Sequence, residues 1–359
     1  MPPQNKAAIY PSNKSPTLLI QDAPYPTAGP GEVIIRVSAI AINPVDHKIQ
    51  DVGTDVFPFL TYPLTGGLDL AGTIVASGDS ASTFRPGDRV LAFTPDFTSR
   101  TGAFQNYVVA PARTTSHIPS SLSFVDAAVL PSAVATAAVS LYQFLGLDTP
   151  SLPPSSPSEL SKKKDETVLI TAGASSVGSN AIQLAVASGY TVITTSSPQH
   201  FAHCTALGAS RVFDYRAPDL ASQIKAAVRG STRLAGAMSC VLGSNALAFD
   251  VVSGSEGATK SVACTILLPE QDGGGGGGVP EGVRAGMIHA YWIKDSAALA
   301  ESIYAHFLPA ALAAGAFKCV PRPRVVGRGL EAVQTAFDIG KTGTVSCEKL
   351  VVTLEGDEA

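Results

Sequence analysis

The chain has 359 residues, with 25 Lys+Arg against 29 Asp+Glu and a formal net charge of −4; 45% of residues are hydrophobic and only 15% charged. That apolar share builds a core and excludes a wholly disordered chain, and the length suits two domains or one large one. A weakly acidic surface excludes a nucleic-acid binder, which needs a basic face to neutralise phosphates.

The first 20 residues lack a basic end followed by a continuous apolar run, so no secretory signal is expected. Residues 32–42 (EVIIRVSAIAI) carry apolar side chains on both parities, as a strand buried on both faces does. Short strands are predicted over 70–76, 89–94 and 104–110, separated by Gly/Pro turns such as 29–31 and 85–88. This punctuation predicts a compact, partly barrel-like β domain. From 124 to 147 the chain is Ala-rich and helical in composition. Its longest apolar stretch, 127–147, is interrupted by Pro131, Ser132, Thr136, Ser140 and Gln143, so it reads as a buried helix rather than the roughly 20 mainly apolar residues of a membrane span. Residues 148–164 are rich in Pro and Ser and end in three lysines; they bury too little apolar area to offset ordering, and read as a surface loop with a solvated flank.

From residue 166 a strand–turn–helix–strand unit follows: TVLITAG, then ASSVGSNAIQLAVASG, then YTVITTSS. A helix near 199–207, a strand at 210–213, a helix near 220–228 and strands at 237–242, 259–267 and 284–291 continue the alternation, which predicts a parallel, doubly wound sheet. The glycine run 273–278 has no side chains to pack and reads as a surface excursion, not a phosphate loop. The tail from Ser302 holds a helix over 303–315, a Pro-rich extended piece, an amphipathic helix near 329–339 and a final strand, EKLVVTL. The cysteines, Cys204, Cys240, Cys264, Cys319 and Cys347, match no metal knuckle or compact disulfide framework. They read as reduced, packed thiols, and a cytosolic location is expected.

The informative segment is 167–178. A buried strand ends in a Gly/Ser turn that opens a helix, where unpaired amides and the positive dipole end favour a pyrophosphate. Read as G-x-G-x-x-G, it has Gly173 and Gly178 but Ser175 between them. An ordinary βα turn capped by Ser175 or Ser176 fits the same residues. One strand later the chain ends in Ser196, Ser197 and Pro198, without the acid that accepts from a ribose 2′-hydroxyl. Hydroxyls and a nearby histidine suit a 2′-phosphate, so NADP(H) is favoured over NAD(H); Ser197-Pro198 also starts the next helix.

These motifs, in order, resemble the medium-chain dehydrogenase/reductase superfamily, in its zinc-independent quinone and enoyl reductase branch. The resemblance rests on AINPVD at 41–46, GLDLAG at 67–72, FRPGDRV at 84–90, GAF at 102–104, SSVG at 175–178, LGA at 207–209, FDYR at 213–216 and SCEKLV at 346–351. The closing stretch and GRGLE at 327–331 are most similar to fungal trans-acting enoyl reductases that partner polyketide synthases. It implies a GroES-like β domain plus a Rossmann domain with a doubly wound parallel sheet: the catalytic domain over 1–126, the cofactor-binding domain over 127–298 and a return to the catalytic domain over 299–359.

Residue by residue, the resemblance implies that Val45, Asp46, His47 and Lys48 lie beside the nicotinamide and that Ser175, Ser176, Val177 and Gly178 hold the pyrophosphate. Ser197, Pro198, Gln199, His200 and Tyr215 would surround the 2′-phosphate; Leu242 and Gly243 would edge the nicotinamide ribose. Ser346 and Cys347 would touch the cofactor, with Lys349 a further candidate. Thr136 would sit under the nicotinamide, while Ser132, Ala133, Val134, Ala135 and Val139 on one side and Met287, Ile288, His289, Ala290 and Tyr291 on the other would line the substrate pocket. Thr136 as a helix residue bonding its own backbone, and Tyr215 as a strand-end packing residue, are the plainer alternatives.

Relatives with catalytic zinc carry Cys, His and Cys or Asp where this chain has Asn43, Leu68 and Ser132, so in this register no catalytic metal is expected. A basic residue that many NADPH-binding relatives use after Ser197 is missing. Without a metal Lewis acid, the implied reaction is conjugate reduction by NADPH, with the enolate oxygen met by backbone amides or Asn43. Asp46, Lys48 or solvent would deliver the proton; surface salt bridges are the alternative for both side chains. The implied partners are an enoyl substrate, free or carrier-bound, and a polyketide synthase, with no nucleic acid and no membrane, the protein being a monomer or homodimer. The alternatives are a quinone or alkenal reductase on free small molecules, and a cofactor-binding accessory protein that reduces nothing.

Overall fold

A computed structural model describes residues 3–81, 83–150, 164–229, 233–266 and 278–354. Most of the 148–164 segment and the glycine run up to residue 277 lie outside the described residues. The chain divides into two compact units: residues 1–132, 304–313 and 319–359 form the first, and 133–303 with 314–318 the second.

The first unit opens with β1 (Asn5–Tyr10) and β2 (Leu19–Ala23), an antiparallel pair. The ten-residue β3 (Glu32–Ala41) is buried along nearly its whole length, as its two-sided apolar pattern demands. It runs directly into α1 (Pro44–Val52), where the sequence pattern predicted no helix. The local signal is Asn-Pro followed by an acid two residues on: Pro44 fixes φ at the first helical position, and the Asp46 carboxylate accepts from the Asn43 amide at 2.7 Å. Next come β4 (Leu64–Thr65), β5 (Asp69–Ser77), β6 (Arg89–Phe93), β7 (Tyr107–Pro111), β8 (Thr115–His117) and α2 (Phe124–Ala127). Helix α3 (Pro131–Ala138) continues through a π-turn at Val139–Phe144. The helical run Phe124–Phe144 is long and apolar enough to cross a membrane, but its most apolar window is 83% buried inside the fold, as a core helix is.

The second unit alternates β9 (Glu166–Ile170), α4 (Ser176–Ala187), β10 (Thr191–Ser196), α5 (Phe201–Ala206), β11 (Arg211–Asp214), α6 (Leu220–Arg229), β12 (Arg233–Ser239), α7 (Asn245–Gly254), β13 (Ser261–Cys264) and β14 (Arg284–Met287). On α6, Leu220, Ile224 and Val228 are buried at four-residue spacing, one stripe facing the core. All strand pairs are parallel and, among the described residues, the order is β11-β10-β9-β12-β13-β14. The sheet is therefore the doubly wound one expected, although β12 ends three residues before the predicted limit and β14 four. Helix α7 went unpredicted because NALAFDVVSG lacks a clear amphipathic period.

After the short α8 (Ala297–Ala300), α9 (Leu308–Ala313), β15 (Arg322–Arg328), α10 (Ala332–Lys341) and β16 (Glu348–Thr353) belong, with α9 onward, to the first unit. There β16 pairs antiparallel with β3 in a sheet ordered β15-β16-β3-β5-β6-β8, with β7 also on β3. The Pro-rich piece expected only to be extended is thus a full strand. Tyr10, Phe104 and Phe337 pack together in this unit's core, which joins its two chain ends.

Candidate active site

In the second unit the strand order reverses between β9 and β12, and the carboxyl ends of the strands at such a reversal are where open parallel sheets bind ligands. Ala172, at φ 51°, and Gly173 turn the chain from β9 into α4. Ser175 caps α4, its hydroxyl accepting from the Gly178 amide at 3.1 Å. A Cβ on Gly178 would fall 2.3 Å from the Ala172 carbonyl oxygen, and one on Gly173 2.3 Å from Thr194 Oγ1. Both glycines therefore let the helix close onto the sheet. Ser176 Oγ is buried and has no hydrogen-bond partner among the described residues. With first-turn amides that the helix itself cannot pair, this turn can take an anionic group.

The neighbouring β10 ends in Ser196, whose Oγ is likewise buried without a partner among the described residues. Ser197 leads into the 3-10 turn Pro198–His200, where the Gln199 and His200 side chains are 3.2 Å apart. Tyr215, just beyond β11, donates its amide to the Ser196 carbonyl at 3.2 Å, and its exposed ring carries the Arg216 guanidinium at 4.5 Å. Parallel pairing thus brings Ser175, Ser176, Val177, Gly178, Ser197, Pro198, Gln199, His200 and Tyr215 to the carboxyl ends of three neighbouring strands, β9, β10 and β11. Arg216 stands in the sequence only as the last residue of FDYR, beside Tyr215, with no site role expected of it.

Leu242 and Gly243 follow β12, exposed, with Gly243 at φ 79°. Thr171 ties this loop to β9: its hydroxyl accepts from the Cys240 amide at 3.0 Å and donates to Ser244 Oγ at 3.0 Å. From the end of β14 onward, Met287, His289, Ala290 and Tyr291 are half-buried and Ile288 buried. His289 stacks on Tyr291 at 4.9 Å and meets the edge of Trp292, an unpredicted member of this cluster. Burial holds the His289 pKa below its ordinary value. Ala133, Val134, Ala135 and Val139 are wholly buried, which leaves half-buried Thr136 as the residue of this run with surface for a ligand; its carbonyl accepts from the Ser140 hydroxyl at 2.7 Å.

The first unit holds a polar cluster of a different kind. Asn43 sits between β3 and α1, Asp69 begins β5 opposite Ala41, Ser132 opens α3, and Lys349 lies on β16, whose pairing with β3 brings it in. Asp69 Oδ1 accepts from the Ser132 amide at 2.7 Å. Its Oδ2 lies 3.0 Å from Asn43 Nδ2, 2.7 Å from Ser132 Oγ and 2.9 Å from Lys349 Nζ. Asn43 Oδ1 lies 2.7 Å from Lys349 Nζ and 2.9 Å from Ser132 Oγ. The ion pair is closed to solvent, with side-chain exposures of 5% for Lys349 and 0% for Asp69. Lys349 thus faces Asp69 and Asn43, and the cation of this cluster is its ammonium. Among the described residues no three His, Cys, Asp or Glu side chains gather as a metal-ligand group.

Asp46 is also buried. Desolvation chiefly, with the Asp69 charge adding to it, pushes its carboxyl up to about 7, against the opposing pull of the Asn43 amide and Lys349. Its Oδ1 has no partner among the described residues. Along the same helix Val45 and His47 are half-buried and Lys48 is exposed; burial lowers the His47 pKa. Ser346 is exposed, while Cys347 holds φ 53°, rare for a residue with a side chain, and burial raises its thiol pKa. Asp69 entered the sequence reading only inside GLDLAG, and a network spanning residues 43 to 349 has no linear signal.

The alcohol dehydrogenase GroES-like domain family matches residues 29–120. The dehydrogenase azaJ of Aspergillus niger is 44% identical, the match covering 98% of this chain and 99% of that protein. The enoyl reductase component lovC of the lovastatin nonaketide synthase, from Aspergillus terreus, is 30% identical, covering 99% and 98%. The crystal structure of the CurK enoyl reductase superposes with a TM-score of 0.74 at 20% identity over 98% of this chain and 100% of that one, a likeness of fold.

Proposed function

Because the chain belongs to the medium-chain dehydrogenase/reductase superfamily of oxidoreductases, we propose that it is an NADPH-dependent, zinc-independent enoyl reductase, working in the cytosol and in trans with a polyketide synthase of secondary metabolism. The observation that carries this reading is the turn at the sheet's reversal point: a helix start with a buried, unpartnered serine hydroxyl, beside a strand end that offers hydroxyls, a ring and a guanidinium in place of a carboxylate. A dinucleotide fits these groups. Ser176, Val177 and Gly178 would hold its pyrophosphate, with Ser175 shaping the turn as a cap. Ser197, Pro198, Gln199, His200 and Tyr215 would surround the 2′-phosphate, and Leu242 and Gly243 would edge the ribose. Val45, Asp46, His47, Lys48, Thr136, Ser346 and Cys347 would meet the nicotinamide end. When bound, the cofactor supplies the hydride that adds to the β-carbon of the alkene.

Leu68 offers no metal donor, and the charge opposite Asp69 is met by an ammonium, which supports chemistry without zinc. Asp46, holding its proton near neutrality, is a donor for the α-carbon beside solvent. The synthase partner is inferred from lovC, a named component of such an assembly, of matching length.

The test is consumption of NADPH or NADH by purified protein with a panel of enoyl thioesters, quinones and alkenals. Faster NADPH loss with thioesters is expected. Turnover of quinones or alkenals alone would make it a free-substrate reductase instead, and tight dinucleotide binding without turnover an accessory protein.

A further inference from the structure

A carboxylate cut off from water needs its charge met, and Asp69 has it met by Lys349. An ammonium has three hydrogens to donate. Two go to Asp69 Oδ2 at 2.9 Å and Asn43 Oδ1 at 2.7 Å; the third has no partner among the described residues. Buried donors are almost always paired, so a nearly enclosed N–H left over in an otherwise closed network invites an oxygen from outside the chain. Asn43 is poorly free to play that role. Its carbonyl oxygen is taken by Lys349 and lies within reach of Ser132, and its amide nitrogen is bonded to Asp69.

Resting on the enoyl reductase reading, we infer that Lys349 is a catalytic residue whose free ammonium hydrogen donates to the carbonyl oxygen of the substrate, with Asn43 and Asp69 as the positioning residues that aim it. The bound cofactor would supply the hydride for the new bond to the β-carbon. The alkene pair shifts to join the α-carbon to the carbonyl carbon, and the carbonyl pair moves onto oxygen, where Nζ–H meets the charge. The α-carbon would then take a proton from water or Asp46 and the carbonyl re-form, the two electrons having come from the hydride donor. Lys349 keeps its proton throughout, as a fixed electrostatic donor.

The test compares wild type with Lys349→Met, Lys349→Arg and the double variant Asp69→Leu/Lys349→Met. The double variant removes both buried charges together, a replacement that folds tolerate far better than loss of one partner. Expected for the double variant are a kcat on an enoyl thioester lower by about 100-fold or more and an NADPH Kd, by calorimetry, within threefold of wild type. Lys349→Arg should regain activity over Lys349→Met. Difference infrared spectra of a bound, 13C-labelled saturated acyl thioester should show a lowered carbonyl stretch in wild type and not in the double variant. A folded double variant with wild-type kcat and an unchanged carbonyl stretch overturns this role and leaves the enoyl reductase reading standing. A wild-type protein that binds NADPH and reduces nothing in the panel overturns both.

Discussion

Two polar clusters, one in each unit, are arranged in opposite ways. In the first, Asn43, Asp69, Ser132 and Lys349 satisfy one another almost completely, and the cluster holds equal and opposite charge out of water. In the second, the turn after β9 and the end of β10 leave Ser176 Oγ and Ser196 Oγ buried without partners among the described residues. A network that pairs its own groups is bound into the stability of its unit. A turn that leaves groups unpaired adds little stability there and keeps them for a ligand. Substitutions in the two places should therefore separate, one set moving stability and the other moving affinity.

The largest effect is expected from Lys349→Met, which strands the Asp69 charge: urea unfolding should show a loss of about 3–5 kcal/mol, with dinucleotide affinity unchanged if the first unit's cluster is independent of the turn. An effect of the same order comes from pH. Asp46 binds its proton more tightly folded, at about 7, than unfolded, where the ordinary value is 3.8. Its contribution is therefore fully present below about pH 4 and is lost as pH rises through 7. Asp46→Asn, which mimics the protonated acid, should flatten the fall in stability between those limits in urea titrations run at stepped pH.

Smaller effects belong to the second unit. Ser176→Asp puts a carboxylate where the pyrophosphate would bind and should weaken NADPH binding about 100-fold, roughly 2.7 kcal/mol, while thermal melting of the unliganded protein stays put. Arg216→Ala should cost NADPH about tenfold in Kd and leave NADH unaffected, both read by calorimetry; equal losses for the two would remove Arg216 from the 2′-phosphate. The smallest is Ser175→Ala, which frees the Gly178 amide and should lower stability by about 1 kcal/mol in chemical denaturation.

Local chemistry was legible in the sequence. The strand VLI, the Gly173/Gly178 turn and the helix after it are contiguous, so their periods and breakers predicted the parallel sheet and the tight turn into α4 directly. The sequence left the cap open between Ser175 and Ser176, because either hydroxyl could serve, and the 3.1 Å contact with the Gly178 amide gives the cap to Ser175. Helix α1 was hidden in a β-rich stretch, since nine residues starting at a proline give too few turns for a period. The pocket role of Ala133, Val134, Ala135 and Val139 meets their complete burial, which composition could not foretell.

By itself the sequence determined what neighbours within a few residues dictate: the alternation of strands and helices, the turn at 171–178, and the missing acid after β10. Tertiary structure alone decided what distant residues become together. Lys349 is an ordinary strand lysine until β16 pairs with β3 and sets its ammonium on Asp69 and Asn43, 280 and 306 positions away. Periodicity and propensity act over a turn or a strand, whereas a buried charge finds its partner through the folding of the whole sheet.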